Sequence, residues 1–463
     1  MRTSLFRQNP RGSAGLGWLD IVRLGLVQAA LGAIVVLTNS TLNRVLIVEL
    51  GVSVALVSAA VAIPVLVAPM RLFFGHRSDT YRSVLGWRRV PYVWLGSLLQ
   101  FGGLAIMPFA LLLLQSQTLG PSWAGPVAVA AAFMLTGFGL HMAQTAGLAL
   151  ASDLVPRNKR PRVVALLYFM MLAGMIGASG GYSLLLADFN PMRLIQVIQG
   201  TAVFVIAVNV VAIWKQEARD PRRTALDRVT QGFIEALRDY RSDPGVMRLL
   251  LAVGVGSAAF SMQDILLEPY GGEILGLGVS QTTLLTGLWA AGTMLGFAWA
   301  GHALQHGAEM HRVAGRGLLI GIAAFSAVIL ASPLQMIGLF YAGAAAIGLG
   351  GGLFAVSTML AAMSVSGTAQ NGIVVGAWGA VQATAIGVGL MVAGLLKDGI
   401  NGLARNGMLG EAMNTDAAGY MVVYQIEIVL LFVCLAIIGP LSGRRYARTE
   451  QGDRRFGLAE MPG

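Results

Sequence analysis

Long apolar runs alternate with short polar connections along the whole chain. A bilayer core of roughly 30 Å takes about 20 helical residues to cross. On that measure the pattern predicts twelve spanning helices, at 21–43, 53–74, 91–114, 125–150, 163–186, 194–214, 248–269, 282–303, 314–332, 335–362, 373–396 and 419–440. Turn residues such as Gly120-Pro121-Ser122 and Asn190-Pro191 separate them. No short leading apolar segment with a cleavage-like site is seen, so the first run is expected to stay in place. Composition strengthens the reading: apolar residues are 56% and charged residues 12% of the chain, a balance that excludes a soluble domain of this length. The expected class is an all-α membrane protein.

Charge then orients the spans. Of the 32 lysines and arginines, 26 fall in the termini and connections of one face, and four (Arg44, Arg193, Lys397, Arg405) on the other. Cytoplasmic segments hold the positive excess, so both termini are expected in the cytoplasm. The +10 net charge therefore marks topology and gives no reason to expect nucleic acid. One cysteine, Cys434, excludes a disulfide framework and a thiolate cluster. With three lysines and no Gly-x-x-x-x-Gly-Lys-Ser/Thr loop, no dinucleotide fingerprint and no nucleophile beside a base, neither an enzyme nor a nucleotide cofactor is expected. His302 and His306 lack the glutamate of a His-Glu-x-x-His helix, and no metal site is assigned.

Internal echoes suggest duplication. Leu50-Gly51-Val52-Ser53 recurs as Leu277-Gly278-Val279-Ser280, Gly75-His76 as Gly301-His302, and Gly137 to His141 aligns with Gly350 to Phe354. Two six-helix repeats in parallel orientation are the architecture of the major facilitator superfamily. The expected units are 1–214, a linker at 215–246, 247–440 and a basic cytoplasmic tail at 441–463. Within the linker, Thr224 and Asp227 have capping spacing, and Leu226, Val229, Phe233, Ile234 and Leu237 share a helical face that suits the membrane surface or a partner protein. Small-xxx-small spacing at Gly177/Gly181 and Gly348/Gly352 suits close helix packing or reflects membrane composition alone.

Ionisable groups inside spans are costly, so they form the short list. Asp264 and Glu268 are one helical turn apart in span seven. They either reach water at the outer face or pair with Arg44 of span one as a gate. His141 with Gln144 lies in span four beside Gly137, Gly139 and Gly147, either as a ligand for the magnesium of a chlorophyll-type ring or hydrogen-bonded to a neighbouring helix. Gln28, Asn39 and Asn43 of span one face a cavity or another helix, while Trp18, Trp94, Tyr270 and Tyr420 read as interfacial anchors.

Gly75-x-x-x-Asp79 followed by Gly86-Trp87-Arg88-Arg89 resembles a stretched form of the superfamily's signature loop. The resemblance implies that Asp79 faces the start of span eleven near Asn371. More specifically, Thr41 to Val45, the Gly75 to Pro91 loop, Gly139 to Gly147, Arg193 to Gly200 and Gln263 to Glu268 resemble the bacteriochlorophyll-delivery branch, the PucC and LhaA type of light-harvesting assembly protein. That resemblance implies a factor in the bacterial inner or intracytoplasmic membrane that carries bacteriochlorophyll or a precursor as cargo. It also implies antenna polypeptides as partners, together with insertion machinery and pigment-synthesis enzymes. The alternative is a secondary transporter of a small solute coupled to an ion gradient; a titratable group near the midplane, His141, would serve it, whereas the span acids sit toward the outer face.

Overall fold

A computed structural model describes residues 18–66, 87, 89–115, 121–155, 160–217, 244–365 and 371–442. Of the residues and segments singled out above, Gly75, Asp79, Gly86, Arg88, the linker helix and the basic tail lie outside these residues. Helix α1 begins at Trp18–Val36 and continues through two π-helical turns, Leu37–Leu42 and Val45–Glu49. There follow α2 (Val54–Leu66), α3 (Val90–Gln115), α4 (Ala124–Asp153), α5 (Arg160–Leu185) and α6 (Pro191–Ile213). Helix α7 runs in two pieces, Pro244–Ser261 and Leu267–Glu273, joined by a 3-10 turn at Met262–Ile265. The rest are α8 (Val279–Gln305), α9 (Met310–Ala331), α10 (Ile337–Val365), α11 (Asn371–Arg405) and α12 (Ala418–Ile438). Each occupies one expected span. Eleven are long and apolar enough to cross a membrane, and α2 is described over thirteen residues only.

Helix contacts recur six helices on. Helix α3 packs on α4 as α9 packs on α10, α1 on α5 and α6 as α7 on α11 and α12, and α3 on α6 as α9 on α12. Across the middle, α2 lies on α11 and α5 on α8, two contacts that exchange under the same shift. Corresponding contacts of this kind are what the expected parallel repeats would give.

Missing side chains make the tightest contacts. In lipid, water gives helices no reason to associate, so close backbone approach matters more. A Cβ on Gly348 would sit 2.0 Å from the Trp289 carbonyl oxygen, and one on Gly352 2.7 Å from that of Thr293, so this glycine pair seats α10 on α8. The Gly177/Gly181 pair does not behave so: neither would meet anything within 4 Å. Spacing alone could not separate them, because both faces are equally small in sequence.

The expectation of four interfacial anchors also needs correction. Trp94 is exposed, but Tyr270 and Tyr420 are fully buried. Their rings meet edge to face at 5.4 Å, and Tyr424 joins them at 5.6 Å from Tyr270. The Tyr420 hydroxyl donates to Glu273 at 2.8 Å, a partner that lets the ring leave the interface.

Candidate functional site

The end of the bundle that holds Arg44, outer in the expected topology, is closed by groups freed where helices depart from α geometry. Pro269 has no N–H and crowds the carbonyl four residues back, that of Ile265. This coincides with the 3-10 turn, and the Ile265 oxygen accepts instead from Asn43 Nδ2 of α1 at 3.1 Å. Arg44, next along, is buried; it pairs with Glu49 and donates to the Leu277 carbonyl at 3.0 Å. Nearby, Thr41 and Thr283 hydroxyls lie 3.4 Å apart, Ser183 and Ser280 2.9 Å apart, and Ser179 donates to the Thr283 carbonyl at 2.6 Å. Asp398 of α11 accepts from the Ala55 N–H at the start of α2 at 2.8 Å, where a helix N-terminus favours an anion.

Arg44 therefore does not pair with Asp264 or Glu268. Glu268 is buried and accepts from Thr286 at 2.6 Å, while its second oxygen makes no bond of normal geometry, with the Ser40 hydroxyl nearby. Asp264 accepts from its neighbour Gln263 and is the more accessible of the two acids. Neither acid stands in the open at the outer face. A third carboxyl, Glu427 of α12, is fully buried and neither oxygen closes a hydrogen bond of normal geometry, although the Gln263 backbone amide faces it. Glu427 lies in electrostatic range of Asp264 and of the buried Tyr424 hydroxyl, which also feels Glu268. It was missing from the sequence-derived set, though a lone acid in an apolar run carries the same signal as Asp264.

The interior of α1 to α6 is different. His141 is buried and its Nε2 lies 2.9 Å from the Pro64 carbonyl of α2. Because a carbonyl only accepts, that nitrogen carries the proton and is not a metal ligand while this bond stands. Gln144 directs Nε2 to the Met171 sulfur at 3.3 Å, and its Oε1 is buried without a hydrogen-bond partner. Gln28 and Gln100 are buried with neither amide atom bonded. A Cβ on Gly147 would lie 3.9 Å from Gln28 Nε2, so Gln28 of α1 borders the glycine face of α4 that carries Gln144. Arg89, at the inner end of α3, holds Asp153 of α4 at 3.1 Å, and its own N–H and that of Val90 are capped by Glu217. Neither acid was picked out by sequence, since each stands in a polar connection among many charges.

A family model described as PUCC protein matches residues 41–446. The chain is 50% identical over 448 residues to an "Uncharacterized protein in puhA-bchM intergenic region" of Rhodobacter capsulatus, covering 96% of this chain and 94% of that one. It is 45% identical over 431 residues to "Protein PucC" of the same organism, covering 92% of each. A "Bacteriochlorophyll synthase 44.5 kDa chain" of Rhodobacter capsulatus is 30% identical, with 94% and 98% covered. Among solved structures, the inward-facing, unoccupied bacterial homologue of the human lysosomal transporter Spinster superposes with a TM-score of 0.68 at 15% identity, covering 91% of this chain and 95% of that one. The nucleoside transporter NupG (D323A) gives 0.67 at 13%, with 92% and 100% covered, and these likenesses establish the major facilitator fold. A family match over most of its length, together with relatives at 45% and 50% identity, places this multi-pass membrane chain in the PucC family.

Proposed function

We propose that the protein is an assembly factor for photosynthetic light-harvesting complexes, which binds bacteriochlorophyll or a precursor and hands it to antenna polypeptides. It acts by binding and release, without catalysis, in the inner or intracytoplasmic membrane, with both termini in the cytoplasm. Family membership supports the setting. The observation that carries the binding role is the buried Gln144 Oε1, a hard oxygen donor with no hydrogen-bond partner, with the unbonded amide of Gln28 near Gly147 on the next turn of α4. Buried polar atoms are expected to be satisfied, so orphaned amides on a glycine-bordered face fit a ligand that satisfies them. An oxygen donor suits magnesium. Of the two pigment-binding residues considered, Gln144 is the better placed to reach the ring's metal, and His141 acts as a brace between α4 and α2. The neutral lining suits a neutral macrocycle.

The test is to purify the protein in mild detergent from a pigmented host and record its absorption spectrum. A bound tetrapyrrole is expected, reduced severalfold by Gln144→Leu and left intact by His141→Phe. No tetrapyrrole in the purified protein, together with unchanged antenna levels in a deletion strain, would sink the reading.

A further inference from the structure

Three carboxyls of the C-terminal half, Asp264 and Glu268 of α7 and Glu427 of α12, have no cation partner among the described residues, and Glu427 and the second oxygen of Glu268 are buried without a hydrogen bond of normal geometry. Asp264 is in electrostatic range of Glu268 and Glu427, and the buried, unbonded Tyr424 hydroxyl is in electrostatic range of both glutamates. Around them, α1 offers Ser40, Thr41 and Asn43, α8 offers Thr283 and Thr286, and α12 offers Tyr420 and Tyr424. The nearby cations are committed elsewhere. Arg44 is held by Glu49 and Leu277, and Lys397 of α11 lies 3.5 Å from Glu273 and 3.8 Å from Asp398, over the Tyr420 ring. Among the described residues, no three of His, Cys, Asp and Glu converge closely enough to hold a metal ion.

An unpaired carboxylate in such surroundings costs far more than a carboxylic acid, so the group takes up a proton instead. Glu427 has no exposed surface. We infer that Asp264, Glu268 and Glu427, linked by Tyr424, form an intramembrane proton-binding site, with the accessible Asp264 as its point of exchange with solvent. The closed arrangement is its proton-loaded state: each proton released from a carboxyl to water leaves a negative charge beside the others and pushes α7 from α12. This rests on the carboxyl geometry and is independent of whether the chain carries pigment.

Infrared difference spectroscopy on the full-length protein in lipid tests it. Surface carboxyls are ionised at neutral pH, with ordinary values near 4, so the carbonyl stretch of a protonated carboxyl reports buried acids. The band is expected at neutral pH and to fall by about a third in each of Glu427→Gln, Glu268→Gln and Asp264→Asn, one acid in three neutralised. Absence of the band from the wild type would overturn the proposal, and that measurement stands even if a variant fails to fold. So would a band unchanged in all three variants, or one abolished by sodium chloride at constant pH, which would make the ligand a metal cation.

Discussion

Away from their ends, α1 to α6 enclose amides, hydroxyls and one imidazole (among them Gln28, Ser97, Gln100, His141, Gln144 and Asn209), whereas α7 to α12 add to such groups the carboxyls of Glu268 and Glu427 and the rings of Tyr270, Tyr420 and Tyr424. The helix contacts are the same in both. The two halves thus share helix contacts and differ in interior chemistry. Backbone contacts at glycine set the scaffold, and a handful of polar positions set what each interior binds. A neutral interior satisfies a neutral ligand through dipoles; a buried carboxyl without a cation partner is satisfied by a proton.

The scaffold should break alike in both halves. A Cβ on Gly139 of α4 would lie 2.4 Å from the Gly96 carbonyl oxygen of α3, as one on Gly350 of α10 would lie 2.6 Å from that of Gly317 of α9. Backbone cannot yield as a side-chain tip does, so Gly139→Val and Gly350→Val are each expected to cost about 3 kcal/mol or more. The yield of monodisperse protein and its melting temperature in detergent measure this. Gly177→Val, with open space around it, should melt like the wild type. If only one of the first two variants is damaged, the halves are not built on equal seams.

A smaller effect separates buried from exposed charge at the outer end. Arg44→Leu strands Glu49, which is about a third exposed, so the loss is expected near 2 kcal/mol, below the cost for a fully buried pair. Arg193→Leu, whose partner Asp188 is 89% exposed, should change stability by less than about 1 kcal/mol. Equal melting of the two variants would mean that Arg44 does not hold the closure.

Hydropathy made the twelve helices legible because the requirement for length and apolarity is local to each run. Partnerships were less so. Arg44 was matched to acids of another helix because it stands at the outer end of span one, the repeat counterpart of their position in span seven. In the π-helical turn Val45–Glu49 the bonding step is five residues, which brings Glu49 to Arg44. The break in α7 was half visible in Pro269, but its rescue by Asn43 depends on a contact 222 residues away. The candidate pair His141 and Gln144 was legible as buried polarity; which of them is occupied by a helix neighbour depends on where Pro64 places its carbonyl.

The first turns of α2 and α8 offer the finest test of the two halves, since their sequences begin alike and their backbones do not. Gly51 has φ +63°, a left-handed conformation that suits glycine, and α2 then starts at Val54 with Ser53 Oγ accepting from the Leu56 N–H at 3.3 Å. Its counterpart Gly278 is extended, and α8 starts one residue later, with Gln281 accepting from the Gly278 N–H at 3.0 Å. The left-handed residue there is Gly276 instead. Because α8 is capped from its own first turn while α2 adds Asp398 of α11 to its own Ser53, the capping of α2, unlike that of α8, depends on closure of the two halves. Asp398→Asn keeps an acceptor for Ala55 and removes the charge, so a loss of about 0.5 to 1 kcal/mol is expected, shrinking in high salt. Gln281→Ala should cost a similar amount, because the Gly278 N–H loses its acceptor, but without salt dependence. Hydrogen exchange at Ala55 and at Gly278 in the two variants reads this directly: faster exchange at both sites in either variant would mean that the two helix starts are coupled and the asymmetry carries no mechanical role.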